Sequence, residues 1–181
     1  MMIVHLIAGL PRAGGMSELV PLLALEQSQS GHVVSIVTVG EAVSEAVRRA
    51  ESGGVRIIAC PANGPANFFF SRDLFRRLPR LVGPADVVHV HGCWTIPVWW
   101  GCRAAVKAGK HLVRSPHGCL APERLRISRW KKVLAWRVFE RRYFLRSAVI
   151  HVTCEAERAD VARVLKFASS KDMECGVPED W

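Results

Sequence analysis

"ADVVHVHGCWTIPVWWGCRAAVKAGKHLVRSPHG", residues 85–118, holds one full repeat of the pattern that decides the architecture. Residues 85–91 are a short β-branched run, 95–109 a helical stretch closed by Gly109, and 111–115 a second short apolar run. Continuous apolar strands alternating with helices imply parallel strands buried on both faces, joined by right-handed crossovers. The alternation continues upstream, with strands over 2–9, 32–39 and 55–60 and helices over about 17–30, 41–53 and 71–82. Downstream come a long basic helix over 128–146, a strand over 148–153 and a last helix over 155–167. The fold class predicted is α/β, a doubly wound, mostly parallel Rossmann-like sheet in a single domain spanning 1–181.

Composition narrows the class. Half of the 181 residues are hydrophobic and 23% are charged, which suits a packed domain and excludes a disordered chain. No apolar run reaches the ~18 residues of a membrane span. The first ten residues lack a basic leader and carry His5 within their apolar run, so no signal peptide is expected. Six cysteines, at 60, 93, 102, 119, 154 and 175, form no CxxC pair; they are expected to be reduced thiols of a cytoplasmic protein. The net charge of +9 is concentrated: residues 124–146 hold nine basic side chains against one acid, Glu140. Such a patch points to an anionic partner or surface.

Sheets of this kind bind ligands outside the carboxyl ends of their strands, which nominates the strand-end loops. After the first strand, Gly14-Gly15 opens a helix. The turn is neither GxGxxG nor a P-loop, so a nicotinamide-dinucleotide site is not expected. Paired glycines there either let backbone N–H groups approach a phosphate or sugar, or serve a tight turn needing positive φ. In "HVHGCW" (89–94), His89 and His91 share a side of the strand; His89 reads as a satisfied core histidine, and His91 sits at the tip, where it can face the cleft. No ligand spacing for a metal accompanies them, and none is expected. In Ser115-Pro116-His117-Gly118 the irregular backbone should stand an imidazole at the sheet edge, able to bond a sugar hydroxyl or exchange a proton near neutral pH.

A helical wheel of the basic segment separates two apolar stripes. Ile127, Trp130, Leu134, Val138 and Leu145 form one, taken as core; Trp136, Phe139 and Tyr143 form the other, edged by Lys131, Lys132, Arg142 and Arg146. An aromatic stripe bordered by cations suits an anionic bilayer surface, and it equally suits burial beneath another protein surface.

The ordered succession "GGMSE", "SGHVVSIVT", "DVVHVHGCW", "VRSPHG", "SRWKKVLAWRVFERR" and "VIHVTCEAE" resembles the N-terminal domain of retaining GT-B glycosyltransferases of family 4, most closely the type that builds bacterial polysaccharide or lipopolysaccharide. The resemblance implies the acceptor-side half of an enzyme that moves a sugar from a nucleotide-sugar to a glycan or lipid-linked acceptor. The nucleotide-sugar enters as co-substrate, with no cofactor and no metal. It assigns donor contact to Gly14 and Gly15, contact with the transferred sugar to His117 as the catalytic candidate, and acceptor recognition to His91, Trp94 and Arg124. It also implies that the cationic helix, through Lys131, Lys132, Trp136, Phe139, Arg142 and Tyr143, rests on the inner membrane face.

Two departures from the family pattern shape the expectation. The family's Pro-Asn-Gly-Val stretch corresponds here to Glu174-Cys175-Gly176-Val177, and the sequence ends at Trp181, where the donor-binding domain would begin. This chain is therefore expected to lack that domain and to transfer sugar poorly alone. The alternative is a peripheral-membrane or protein-interaction domain with a degenerate sugar site. A specific nucleic-acid role is not expected, because no recognition helix, RNP signature or zinc finger accompanies the charge.

Overall fold

The computed structural model describes residues 1–10, 14–64 and 69–166. Its six strands are β1 (Met2–Ile7), β2 (Val33–Val39), β3 (Arg56–Cys60), β4 (Val87–His91), β5 (His111–Ser115) and β6 (Val149–Ile150). They form one sheet in the order β3-β2-β1-β4-β5-β6, with every neighbouring pair parallel. The predicted doubly wound sheet is thus present. The chain moves outward from β1 in one direction and from β4 in the other, so the switch point lies between β1 and β4. That is where such sheets open a ligand crevice at their carboxyl edge.

Helices α1 (Gly15–Gln29) and α2 (Glu45–Ser52) cover one face, and α3 (Arg72–Val82) and α4 (Ile96–Lys107) cover the other. Local chemistry sets where two of them start, and α2 begins at Glu45, four residues later than the predicted 41. Ser44 and Ser71 cap α2 and α3, accepting hydrogen bonds from the Val47 and Leu74 N–H groups at 3.2 Å. Pro21 lies within α1 and offers no N–H, and the Ser17 carbonyl one turn back instead accepts the Ser44 hydroxyl at 3.4 Å, tying α1 to α2. On the other face α4 approaches β1 so closely that a Cβ at Gly101 would meet a Leu6 methyl at 2.0 Å, which only glycine avoids.

The basic segment departs from expectation. The helix expected over 128–146 is present over 129–144 as α6 (Arg129–Ala135), a π-helical turn (Trp136–Glu140) and α7 (Arg141–Phe144) in direct succession, with a short α5 (Pro122–Arg126) before it; what differs is the face it buries. Ser128, at φ 51°, breaks the chain between α5 and α6. The stripe assigned to the core faces solvent: Trp130 is 70% exposed, Val138 67% and Leu134 56%. Tyr143 is buried, and Trp136 and Phe139 pack half-buried against the core. The expectation that Trp136, Phe139 and Tyr143 form the outer surface is therefore corrected.

A buried ion pair gives the physical reason. Arg114 of β5 and Glu140 are both fully buried, with Arg114 Nη2 donating to Glu140 Oε2 at 2.9 Å. The Trp94 N–H donates to Glu140 Oε1 at 2.6 Å, and the Arg114 guanidinium lies 4.4 Å from the centre of the Phe144 ring. Burial works against the charge of Arg114, and Cys102 and Glu140 beside it more than restore it. Glu140 lies one turn from both Trp136 and Phe144. Once it turns inward to Arg114, the aromatic stripe must follow. The last helix, α8 (Glu155–Lys166), packs Val161 and Leu165 against Ile150 and Phe144.

Candidate functional site

All strands are parallel, so the loops after β1, β4, β5 and β6 share one edge of the sheet. At the first, Gly14 has φ 137°, a backbone conformation that a side chain strains, and it forms the N-cap of α1. A Cβ at Gly15 would meet nothing within 4 Å, so the approach to the first turn of α1 is open. This is a place where backbone N–H groups and the helix dipole favour an anion. Residues 11–13 of the same loop lie outside the described residues.

Two strands away, roughly 10 Å across the sheet, the β5 loop holds His117 half-buried in a left-handed conformation at φ 51°. Its neighbour Gly118 donates its N–H to Glu157 Oε1 at 2.6 Å. The other oxygen of that carboxylate accepts from the Thr153 N–H and hydroxyl at 2.8 and 3.0 Å. Glu157, in the first turn of α8, thereby pins the β5 and β6 loops together. It is a site residue that the sequence reading missed. Its signal was a strand-end threonine followed by a carboxylate in the opening turn of a helix.

Behind His117 stand more histidines. His91 Nδ1 lies 2.9 Å from His117 Nε2, His91 Nε2 lies 2.9 Å from His5 Nδ1, and His5 Nε2 lies 2.7 Å from Gln27 Oε1 of α1. A separate file runs from His89 Nε2 to the Ser115 hydroxyl at 2.7 Å and on to His151 Nδ1 at 2.9 Å. Register explains the clustering: His5 pairs with His89 and Ile7 with His91, so all three rings lie on one face across the switch point. Burial lowers the pKa of His5 to about 4 and pushes His89 and His91 well below the usual histidine value. Burial also lowers His117, with the Glu157 carboxylate pulling the other way. The donor atoms of His5, His89 and His91 lie within 4.8 Å of one another, near enough to approach one cation, and they are engaged instead with each other and with Gln27 and Ser115.

The other nominated residues divide. His89 is the satisfied core histidine expected. His91 is 1% exposed, so the expected direct acceptor contact is corrected: it reaches the edge only through His117. Trp94 stands half-buried at the edge with φ 68°, its indole N–H donating to the Cys119 carbonyl at 3.3 Å. Arg124 is exposed on α5, and Lys132 donates back to the Arg124 carbonyl. Lys131 and Arg142 are exposed. Residues 174–177 and Trp181 lie outside the described residues.

The sheet order and the two-sided helix cover define one Rossmann-like half of a GT-B fold. A family model for the glycosyl transferase 4-like domain matches residues 14–171, and the chain belongs to that family. Among solved structures, a protein from Listeria monocytogenes assigned as a UDP-N-acetylglucosamine 2-epimerase superposes with a TM-score of 0.59 at 12% identity, over 91% of this chain and 42% of its own. The chain therefore spans less than half the length of that protein, and the likeness is one of fold. The β subunit of eIF2B from Chaetomium thermophilum matches with a TM-score of 0.39 and 9% identity over 63% of this chain and 35% of its own, too weakly to support an argument. A comparison with curated proteins returned no match. No helix among the described residues is long and apolar enough to cross a membrane.

Proposed function

We propose that this domain is the acceptor-side half of a retaining glycosyltransferase, which moves a sugar from a nucleotide-sugar to a glycan or lipid-linked acceptor once a donor-binding domain closes over the crevice. The observation that carries the reading is the shared edge: an open glycine turn and a half-buried histidine flank the switch point of one parallel sheet. Backbone N–H groups of the Gly14-Gly15 turn approach the donor's diphosphate or sugar, where the α1 terminus favours negative charge. His117 bonds a hydroxyl of the transferred sugar and orients it for attack. Leaving-group charge is met by the partner domain. Arg124 and Trp94 border the path by which the acceptor arrives.

The cationic segment brings the domain to an anionic surface. Its solvent face carries Trp130, Leu134 and Val138, and the exposed Arg129, Lys131 and Arg137 lie beside them along the same segment. Burying its one acid with Arg114 leaves this face cationic without internal neutralisation. Apolar side chains edged by Lys and Arg suit the interface of an anionic bilayer, where such acceptors reside.

The test is hydrolysis and transfer from UDP- and GDP-hexoses by this chain paired with a donor-binding domain of its family. His117→Ala is expected to reduce turnover roughly 100-fold, the scale of a lost polar contact to the reacting group. A paired enzyme whose turnover is unchanged by His117→Ala would overturn the assignment.

A further inference from the structure

A central parallel strand buries its side chains on both faces and ordinarily fills them with Val, Ile and Leu. On one face of β1 and β4 this sheet has three histidines, and two of them continue a file of hydrogen bonds that ends at the edge of the crevice. The order is Gln27, His5, His91, His117, with N···O and N···N separations of 2.7, 2.9 and 2.9 Å. The rings run edge to edge and stay nearly parallel: His5 and His91 are 5.2 Å apart and tilted by 16°, His91 and His117 5.2 Å apart and tilted by 20°. His5 and His91 are 0% and 1% exposed. Burial disfavours the cation at each position, so the rings are neutral near pH 7.

A neutral imidazole has one N–H donor and one lone-pair acceptor, and the bond made by one nitrogen dictates the role of the other. An amide oxygen only accepts. With Gln27 Oε1 facing His5, the His5 proton must sit on Nε2, which leaves Nδ1 as an acceptor. His91 must then donate from Nε2 to His5 and accept at Nδ1. His117 must in turn donate from Nε2 to His91. Each direction follows from the one before, and the file takes its sense from the Gln27 amide, which presents its oxygen to His5; the flipped amide, offering its NH2, would reverse every bond. Gln27 also cannot take up a proton, so the file has no exit at that end. It fixes orientation and does not conduct.

We propose that Gln27, His5 and His91 are positioning residues that hold His117 as its Nε2–H tautomer, so that its Nδ1 lone pair is the one presented at the crevice. His117 is thereby an acceptor: it receives a hydrogen bond from a hydroxyl and discriminates against a ligand group that offers only a lone pair. This deepens the function proposed above and rests on it for the identity of the hydroxyl as a sugar's. The tautomer itself can be read without donor, acceptor or turnover.

The measurement is two-bond ¹H–¹⁵N NMR of the ring nitrogens, with ¹⁵N-histidine in the whole chain at pH 7.5. In the parent, His5, His91 and His117 are each expected to show protonated Nε2 and bare Nδ1, in a ratio of about tenfold or more, which one hydrogen bond of ordinary net strength sustains. Gln27→Met removes the terminal acceptor, and the His117 ratio is expected to fall toward equality; Gln27→Glu, which still accepts, should preserve it. A parent His117 carrying its proton on Nδ1, or existing as the cation, would overturn the proposal without recourse to any variant. So would an unchanged His117 ratio in a folded Gln27→Met protein. Should the tautomers prove as expected while His117→Ala leaves turnover intact, the relay stands and the glycosyltransferase reading fails.

Discussion

At the scale of single residues, the two glycines of the α1 turn differ in what they need. Gly14 needs a conformation: at φ 137° a side chain is strained, and Gly14→Ala should cost about 1–3 kcal/mol. Gly15 needs nothing of the kind, since the space beyond its Cα is empty. Gly15→Ala should leave the unfolding free energy from urea titration within about 1 kcal/mol of the parent while weakening whatever binds at the turn. Loss of stability in both variants would make the turn purely structural. His117 and the glycine pair were legible in the sequence because turn chemistry and the end of a strand announce them locally. Gln27 and Glu157 were not. Each lies within a helix where its type is unremarkable, and its role exists only because α1 or α8 packs against a particular strand end.

At the scale of elements, the basic segment shows where periodicity stops being informative. The wheel separated two apolar stripes and assigned the exposed one to the core, because a wheel contains no partner and cannot say which stripe faces inward. The deciding residues were a lone acid among nine cations and an arginine inside an apolar strand, each the other's complement across 26 positions. Burying either alone is prohibitive, so Glu140→Leu or Arg114→Leu should cost about 3–5 kcal/mol, while the double variant should cost far less than the sum. Additive losses in urea titration would mean that the pair does not set the helix orientation. The exposed stripe has its own consequence. Trp130→Ser/Leu134→Ser should abolish sedimentation with phosphatidylglycerol vesicles while leaving the thermal midpoint intact. Trp136→Ala/Phe139→Ala should instead lower the midpoint. The reverse pattern would restore the stripe assignment that the wheel suggested.

At the scale of the molecule, a polar file of histidines through the sheet ties stability to pH. His5 is neutral in the fold down to about pH 4, whereas in the unfolded chain it takes up a proton below about pH 6.5. The unfolded state then binds more protons, so the stability is fully present above pH 6.5 and is lost as pH falls toward 4. Between pH 7.5 and 5 His5 alone should remove about 2 kcal/mol, and His89 and His91 act in the same direction. Urea midpoints should fall across that range, and fall less in His5→Leu; a flat profile would contradict burial of the neutral rings.

The doubly wound, mostly parallel class followed from alternation, because six β-branched runs separated by helices admit few topologies; the strand order came only with the fold. What the order cannot convey is which edge is occupied by a ligand. Amide shift mapping of the whole chain, paired with a donor-binding domain of its family and titrated with UDP-glucose and GDP-mannose, tests that most directly. Perturbations are expected at Gly14, Gly15, Trp94 and Gly118, on both sides of the β1–β4 crevice, and should weaken in His117→Ala. Shifts confined to the opposite edge of the sheet, or a rim unresponsive to either sugar nucleotide, would contradict a sugar-transfer crevice at the switch point.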